Sequence, residues 1–151
     1  MSNTDTNTPC GFDGWEIINA YTRAEALADG VLVDAGKTAR EAGWKVPVAL
    51  TAAVWSDCVE WSEEDTARKN VGQDEDGRLW DVVWMAGVAA RAHIARCIKD
   101  PGADPSRCRM QVYRIPRGGH ACDPELVELK IIIDGGDDGE PVATILEPNE
   151  D

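Results

Sequence analysis

The stretch LVELKIIIDGGDDGEPVATIL, Leu126 to Leu146, decides the fold class. Leu126, Glu128, Lys130 and Ile132 alternate with Val127, Leu129, Ile131 and Ile133, the period of a β-strand. The alternation decays into an all-apolar end, which predicts burial on both faces there. Asp134-Gly135-Gly136-Asp137-Asp138-Gly139 is turn chemistry, and Val142 to Leu146 is the returning strand. Upstream, Met110 to Ile115 alternates and stops at Pro116, which adds a third strand. The end of the chain therefore reads as an antiparallel meander.

Working back toward the N-terminus, the period changes. Leu79, Val82, Val83, Ala86, Ala90, Ile94, Cys97 and Ile98 recur at helical spacing, and Trp80 and Trp84 lie four apart on a neighbouring face. The first half is apolar nearly all round, so the pattern predicts a central, buried helix that Asp100-Pro101-Gly102 ends. Pro47 at a first helical position, followed by Val48, Ala52, Trp55, Cys58 and Val59, predicts an amphipathic helix from Pro47 to about Ser62. Thr22 and Glu25 match a capping box, with Asp29-Gly30 as the stop. Val31 to Val33 is a short extended run, and Lys37 to Ala42 a second short helix closed by Gly43. Ile17-Ile18 opens the ordered part. The expected fold is α+β, with N-terminal helices packed on a three- to four-stranded, mainly antiparallel C-terminal sheet. Trp44, Trp55, Trp61, Trp80 and Trp84 are expected to supply the large apolar volume of the core.

The 151 residues predict a leader over 1–13, one domain over 14–148 and a tail over 149–151. The polar start carries no basic region followed by an apolar one, so no signal peptide is visible, and no apolar run approaches a membrane span. Five scattered cysteines without a signal peptide fit reduced thiols in a cytoplasm.

Net charge is −13, which argues against direct binding to nucleic acid or anionic membrane. The charge is segregated: residues 1–90 carry −9, residues 91–117 carry +5, and residues 118–151 carry −9. The simpler reading is that the basic stretch pairs internally with its acidic flanks and leaves a solvated acidic surface; the sharper one is a dipolar surface that recruits a charged partner.

The chain lacks a phosphate-cradling loop, a dinucleotide fingerprint, a zinc-protease helix, a calcium loop and a nucleophile elbow. Cys97, Cys108, His120 and Cys122 hold the residue types of a zinc site, but the spacing fits no standard finger. Asp74, Asp76 and Asp81 could approach a magnesium ion, although Asp81 just inside a helix start equally serves the dipole. A Cys58–His93 dyad would need two core-like helix faces to meet. No metal and no cofactor is expected.

Several phrases stand out together. They are Tyr21-Thr22-Arg23-Ala24-x-Ala26-x-Ala28-Asp29-Gly30-Val31-Leu32-Val33-Asp34, Pro47 to Trp55, Gln73-Asp74-Glu75-x-Gly77-Arg78-Leu79-Trp80-Asp81-Val82-Val83-Trp84-Met85, Tyr113-Arg114-Ile115-Pro116-Arg117 and Gly139-Glu140-Pro141-Val142-x-Thr144-Ile145. With them the chain resembles, over roughly residues 16–148, a family of small uncharacterised proteins carried by plasmids, phages and integrative elements. The resemblance implies an accessory protein of a mobile element in a bacterial cytoplasm and assigns no site residues.

Two functions are expected from this reading. The first is non-enzymatic binding of a host or mobile-element protein, with the acidic groups Glu63, Glu64, Asp65, then Asp74, Glu75, Asp76, then Asp134, Asp137, Asp138, Glu140 as contacts. One version is anti-defence mimicry of DNA phosphates. At one charge per about 1.7 Å of axis, thirteen charges in one stripe cover roughly 22 Å, or about six to seven base pairs. The alternative is a small-ligand binder or enzyme with a pocket around Tyr21, Arg23, Arg78, Asp81 and His93. A homodimer through a sheet edge at 110–115 or 142–146 is a further option.

Overall fold

A computed structural model describes residues 21–150. The expected start at Ile17-Ile18 and the leader over 1–13 lie outside the described residues. Five helices are present among them: α1 (Arg23–Ala28), α2 (Gly36–Glu41), α3 (Ala52–Val54), α4 (Glu63–Lys69) and α5 (Glu75–Lys99). A π-helical turn, Trp55–Val59, follows α3. The strands are β1 (Leu32–Asp34), β2 (Val48–Thr51), β3 (Arg107–Arg114), β4 (Glu125–Gly135) and β5 (Pro141–Leu146). They form one sheet in the order β1-β2-β5-β4-β3.

The class is α+β, but the sheet differs from the sequence reading. It has five strands, two of them from the N-terminal half, and β2 runs parallel to β5 while the other pairs are antiparallel. The expected helix from Pro47 to Ser62 gives way to strand β2, the single turn α3 and the π-turn. All four residues of β2 are buried, because the strand lies between two neighbours with packing on both faces. A short, wholly buried strand shows no alternation, so its apolar run also satisfies helical spacing. Thr51 ends the strand: its Oγ1 accepts from the Val54 amide, as a helix N-cap does.

The other elements form for reasons visible in the chain. Thr22 and Glu25 make both hydrogen bonds of the capping box on α1. Asp137 in the β4–β5 turn adds two more, accepting from the Arg23 and Ala24 amides at 2.8 and 3.0 Å. Gly30 follows α1 at φ +79°, where a side chain would be strained. We expect Thr22→Ala to cost about 1 kcal/mol, measured by urea unfolding, with Asp137 limiting the loss.

Helix α5 is the backbone of the core. Asp74 caps it, and it packs Leu79, Val82, Val83, Ala86 and Ala90 against β3 and the π-turn. Gly87 lies under the Trp44 indole, whose Nε1 donates to the Val83 carbonyl at 2.9 Å. The core then runs into the sheet through Leu50, Leu129, Ile131, Ala143 and Ile145. Ile132 and Ile133 are only half-buried, so the apolar end of β4 is covered less completely than its composition suggests.

The tryptophans do not fill the core as expected. Trp61 is buried, and Trp44 and Trp55 pack at its margin, but Trp80 and Trp84 stand 37 and 43% exposed. The second apolar stripe of α5 faces outward because only one stripe of the helix can meet the sheet.

Candidate binding surface

The acidic groups fare unequally. Asp65 is buried at the start of α4, where it completes a capping box with Ser62 and pairs with Arg68 and Arg117 at 3.1 and 2.6 Å. Burial pushes its carboxyl up, but the hydrogen bonds from Arg117 and Ser62 outweigh that and hold it well below the usual carboxylate range. The folded state thus favours the ionised form. Stability from this group is complete above the ordinary carboxylate pKa near 4 and falls as pH drops below it. In acid titration of urea midpoints, Asp65→Asn is expected to be less stable than the parent at pH 7 and to show a flatter slope below about pH 4.

Asp74 caps α5 and accepts from Gly77 N at 2.6 Å, Glu75 accepts from Trp61 N, and Asp137 caps α1. Glu140 accepts from Asp138 N within the β4–β5 turn. Glu63, Glu64, Asp134 and Asp138 remain exposed. Glu63, Asp74, Glu75 and Asp76 share one shallow groove of about 300 Å³ beside Trp61. The third acidic group sits elsewhere, at the turn beside α1.

The five residues of the expected pocket are scattered. Tyr21 donates to Asp29 at 2.6 Å, and its hydroxyl is pushed up to about 12 by that hydrogen bond. Arg23 donates to Thr144 Oγ1 and the Ala143 carbonyl. His93 lies further along α5, against the Asp104 carbonyl at 2.7 Å. Only Arg78 and Asp81 share a cavity, of about 210 Å³, with Cys58, Gln73, Tyr113 and Arg114.

That cavity is poorly equipped for chemistry. Arg78 is buried and spends its guanidinium on the fold, donating to the carbonyls of Val59 and Ile115 at 3.0 Å and to Gln73 at 3.1 Å, and stacking over Trp61 at 4.7 Å. Burial, then the neighbouring Asp57 carboxylate, pushes the Cys58 thiol up to about 12, the opposite of an activated nucleophile. Burial raises the Asp81 carboxyl, with Arg78 opposing. Cys58 and His93 have different surroundings and make no dyad. Among the described residues, no three His, Cys, Asp or Glu side chains converge to hold a metal ion. Cys97 lies on α5 beside His93 and Cys108 on β3 against the Ala89 carbonyl of α5, whereas Cys122, in the loop beyond the other end of β3, bonds to the Lys69 carbonyl of α4.

The loop after β3 is fixed by Lys69. This buried ammonium donates to the carbonyls of Pro116, Gly118 and Ala121. Together with Asp65, Arg68 and Arg117 the loop walls an open groove of about 880 Å³. Its charged groups are already committed to one another, at 2.6 to 3.1 Å.

A different surface, on the outer flank of α5, is apolar. Trp80 and Trp84 stack on the outer flank of α5, with ring centroids 5.6 Å apart and planes 14° from parallel. Met85 and Val88 are exposed on the same helix. Trp84, Met85, Tyr113 and Leu126 wall a groove of about 440 Å³ between α5 and β3, with Asp81 at its rim. Tyr113 is 65% exposed. Strand β3 ends the sheet, and among the described residues it pairs only with β4. The other expected dimer edge, 142–146, is interior: β5 lies between β2 and β4. At the other end of β3, His93, Arg96, Arg107, Arg109 and Lys130 line a second groove of about 440 Å³. Three cations of the basic segment noted in the sequence, Arg96, Arg107 and Arg109, thus meet here, whereas Arg114 and Arg117 pair with Asp57, Glu125, Glu60 and Asp65 elsewhere.

A family model of unknown function, DUF6573, matches residues 9–151. The chain belongs to the DUF6573 family. No curated protein and no solved structure matches it. The expectation of an uncharacterised family is met. No helix among the described residues of this DUF6573 chain is long and apolar enough to cross a membrane.

Sequence reasoning missed the apolar flank of the DUF6573 domain, although a signal existed. Trp80, Trp84 and Val88 recur every four residues, offset from the stripe of Leu79, Val82, Val83 and Ala86. Tyr113 and Leu126 sit opposite each other on the non-core face of their strands. Lys69 left no signal, because its three acceptors come from a loop almost fifty residues on.

Proposed function

We propose that this protein is a non-enzymatic protein-binding factor, an accessory protein of a mobile genetic element acting in a cytoplasm on a host or element protein. The contact is the flank formed by α5 and the edge of β3. The stacked Trp80–Trp84 pair carries this reading. Aromatic side chains held rigidly at the surface beside an apolar groove are the side chains that dominate interface energetics. The acidic loops then act mainly by steering, through Glu63, Glu64, Asp76 and Asp138. Mimicry of DNA by carboxylates is the weaker version, since Asp65 accepts from Ser62 N within a capping box and Asp74 and Asp137 cap helices.

Immobilised protein is used to capture partners from host lysate at low and high salt. Trp80→Ala with Trp84→Ala is expected to abolish stoichiometric capture while costing only about 1–2 kcal/mol of stability. Charge reversal at Glu63, Glu64 and Asp76 is expected to slow capture at low salt and flatten its salt dependence without abolishing it. Undiminished capture by the tryptophan variant would rule this surface out.

A further inference from the structure

The geometry points to one occupant for this flank: an extended segment of the partner, apolar in one half and acidic in the other, added to the free edge of β3 as a further strand. This inference rests on the protein-binding reading and makes it specific.

Three observations carry it. The first is the edge itself. β3 has eight residues and ends the sheet, whereas the opposite edge, β1, has only three. Alternate residues of an edge strand turn their amides and carbonyls outward, where another chain can pair with them. The second is that each half of β3 has a side pocket of different chemistry. Gln111, Val112 and Tyr113 border the apolar groove of Trp84, Met85 and Leu126. Arg107 and Arg109 border the basic groove of Arg96 and His93. Arg109 and Tyr113 are four residues apart, about 13 Å along a strand, so a segment of roughly five residues reaches both.

The third is charge. Arg96 and Arg107 form no salt bridge among the described residues, and Arg109 pairs only with Glu128 on the open face. Arg96 is also held in place. His93 Nε2–H donates to the Asp104 carbonyl at 2.7 Å, which leaves Nδ1 to accept from Arg96 Nη2 at 3.2 Å. In a chain of net charge −13, Arg96, Arg107, Arg109 and Lys130 line this one groove. A second copy is disfavoured on the same ground. Pairing β3 antiparallel with itself over its full length would set Arg107 opposite Arg114 and lay the arginine end of each copy against the apolar end of the other, between two chains of −13. Asp81 at the rim of the apolar groove sets the direction of recognition, rejecting acidic side chains there and leaving them to the arginine end.

The test uses three short fluorescein-labelled peptides read by anisotropy. One alternates valines in one half and glutamates in the other. The second carries lysines for the glutamates, and the third is the first with every second amide N-methylated. The glutamate peptide is expected to bind with Kd below about 1 mM, and the lysine and N-methylated peptides at least about tenfold more weakly. Arg107→Glu with Arg109→Glu is expected to reverse the preference between glutamate and lysine. Equal binding of the N-methylated peptide, absence of binding by the glutamate peptide, or sedimentation showing a dimer that Gln111→Pro dissociates would each overturn strand addition. None of these results touches the tryptophan dependence of partner capture, whose loss alone would remove the protein-binding reading.

Discussion

Arg78→Met is expected to lower stability by about 3–5 kcal/mol, the largest single effect in the molecule outside the apolar core. The guanidinium lies inside the protein and ties three segments to α5. Its Nε donates to Val59 at the end of the π-turn, and its Nη1 to Gln73 before α5 and Ile115 after β3. Methionine fills much of the volume but leaves two buried carbonyls without donors, each costing about 1–3 kcal/mol. The contact with Trp61 at 4.7 Å is lost as well. In a domain of this size each kcal/mol shifts Tm by roughly 2–4 °C, so a drop on the order of 10 °C is expected. Arg78→Lys keeps the charge but not the fork, and is expected to recover less than about half of the loss. Urea unfolding followed by tryptophan fluorescence measures both. A change under about 1 kcal/mol for Arg78→Met would show that those carbonyls find other donors at little cost.

Lys69→Met is expected to cost about 2–4 kcal/mol, with a local signature that Arg78→Met lacks. All three ammonium hydrogens go to carbonyls of one loop, at Pro116, Gly118 and Ala121. Removing them frees the loop while β3 and β4 stay paired through eight residue pairs. Part of the loss is offset because a buried ammonium no longer has to be desolvated. Cleavage by trypsin after Arg117 should accelerate strongly, and amide exchange over residues 117–122 should speed up at temperatures where the sheet remains protected. Unchanged cleavage would mean that Arg68, which donates to the Arg117 carbonyl, suffices to hold the loop.

Helices α1, α2 and α5 and the C-terminal meander were legible because their signals are local, whereas α3 and α4 were not read as such. Thr22 with Glu25 caps α1 as read, α5 follows its apolar stripe, β3 and β4 follow their alternation, and β5 returns after the Gly-rich turn. β2 was not legible, because four buried residues carry no period and its parallel partner lies more than ninety residues away. The acidic residues illustrate a second limit. Ser62-x-x-Asp65 is a capping pattern that could have been read, and it removes Asp65 from the contact candidates. The capping of α1 by Asp137 depends on the folded hairpin turn and leaves no local trace. For the binding surface, intuition about size misled. A tryptophan pair on a central helix suggests core, yet one helix face was already filled by Leu79, Val82, Val83 and Ala86.

The most direct test of the binding surface is hydrogen–deuterium exchange of the protein with and without its captured partner. Protection is expected to concentrate in β3 over residues 107–114 and in α5 around Trp80 to Val88. Protection confined to residues 63–65 and 74–76, with β3 unchanged, would contradict the account and move the contact to the acidic loops.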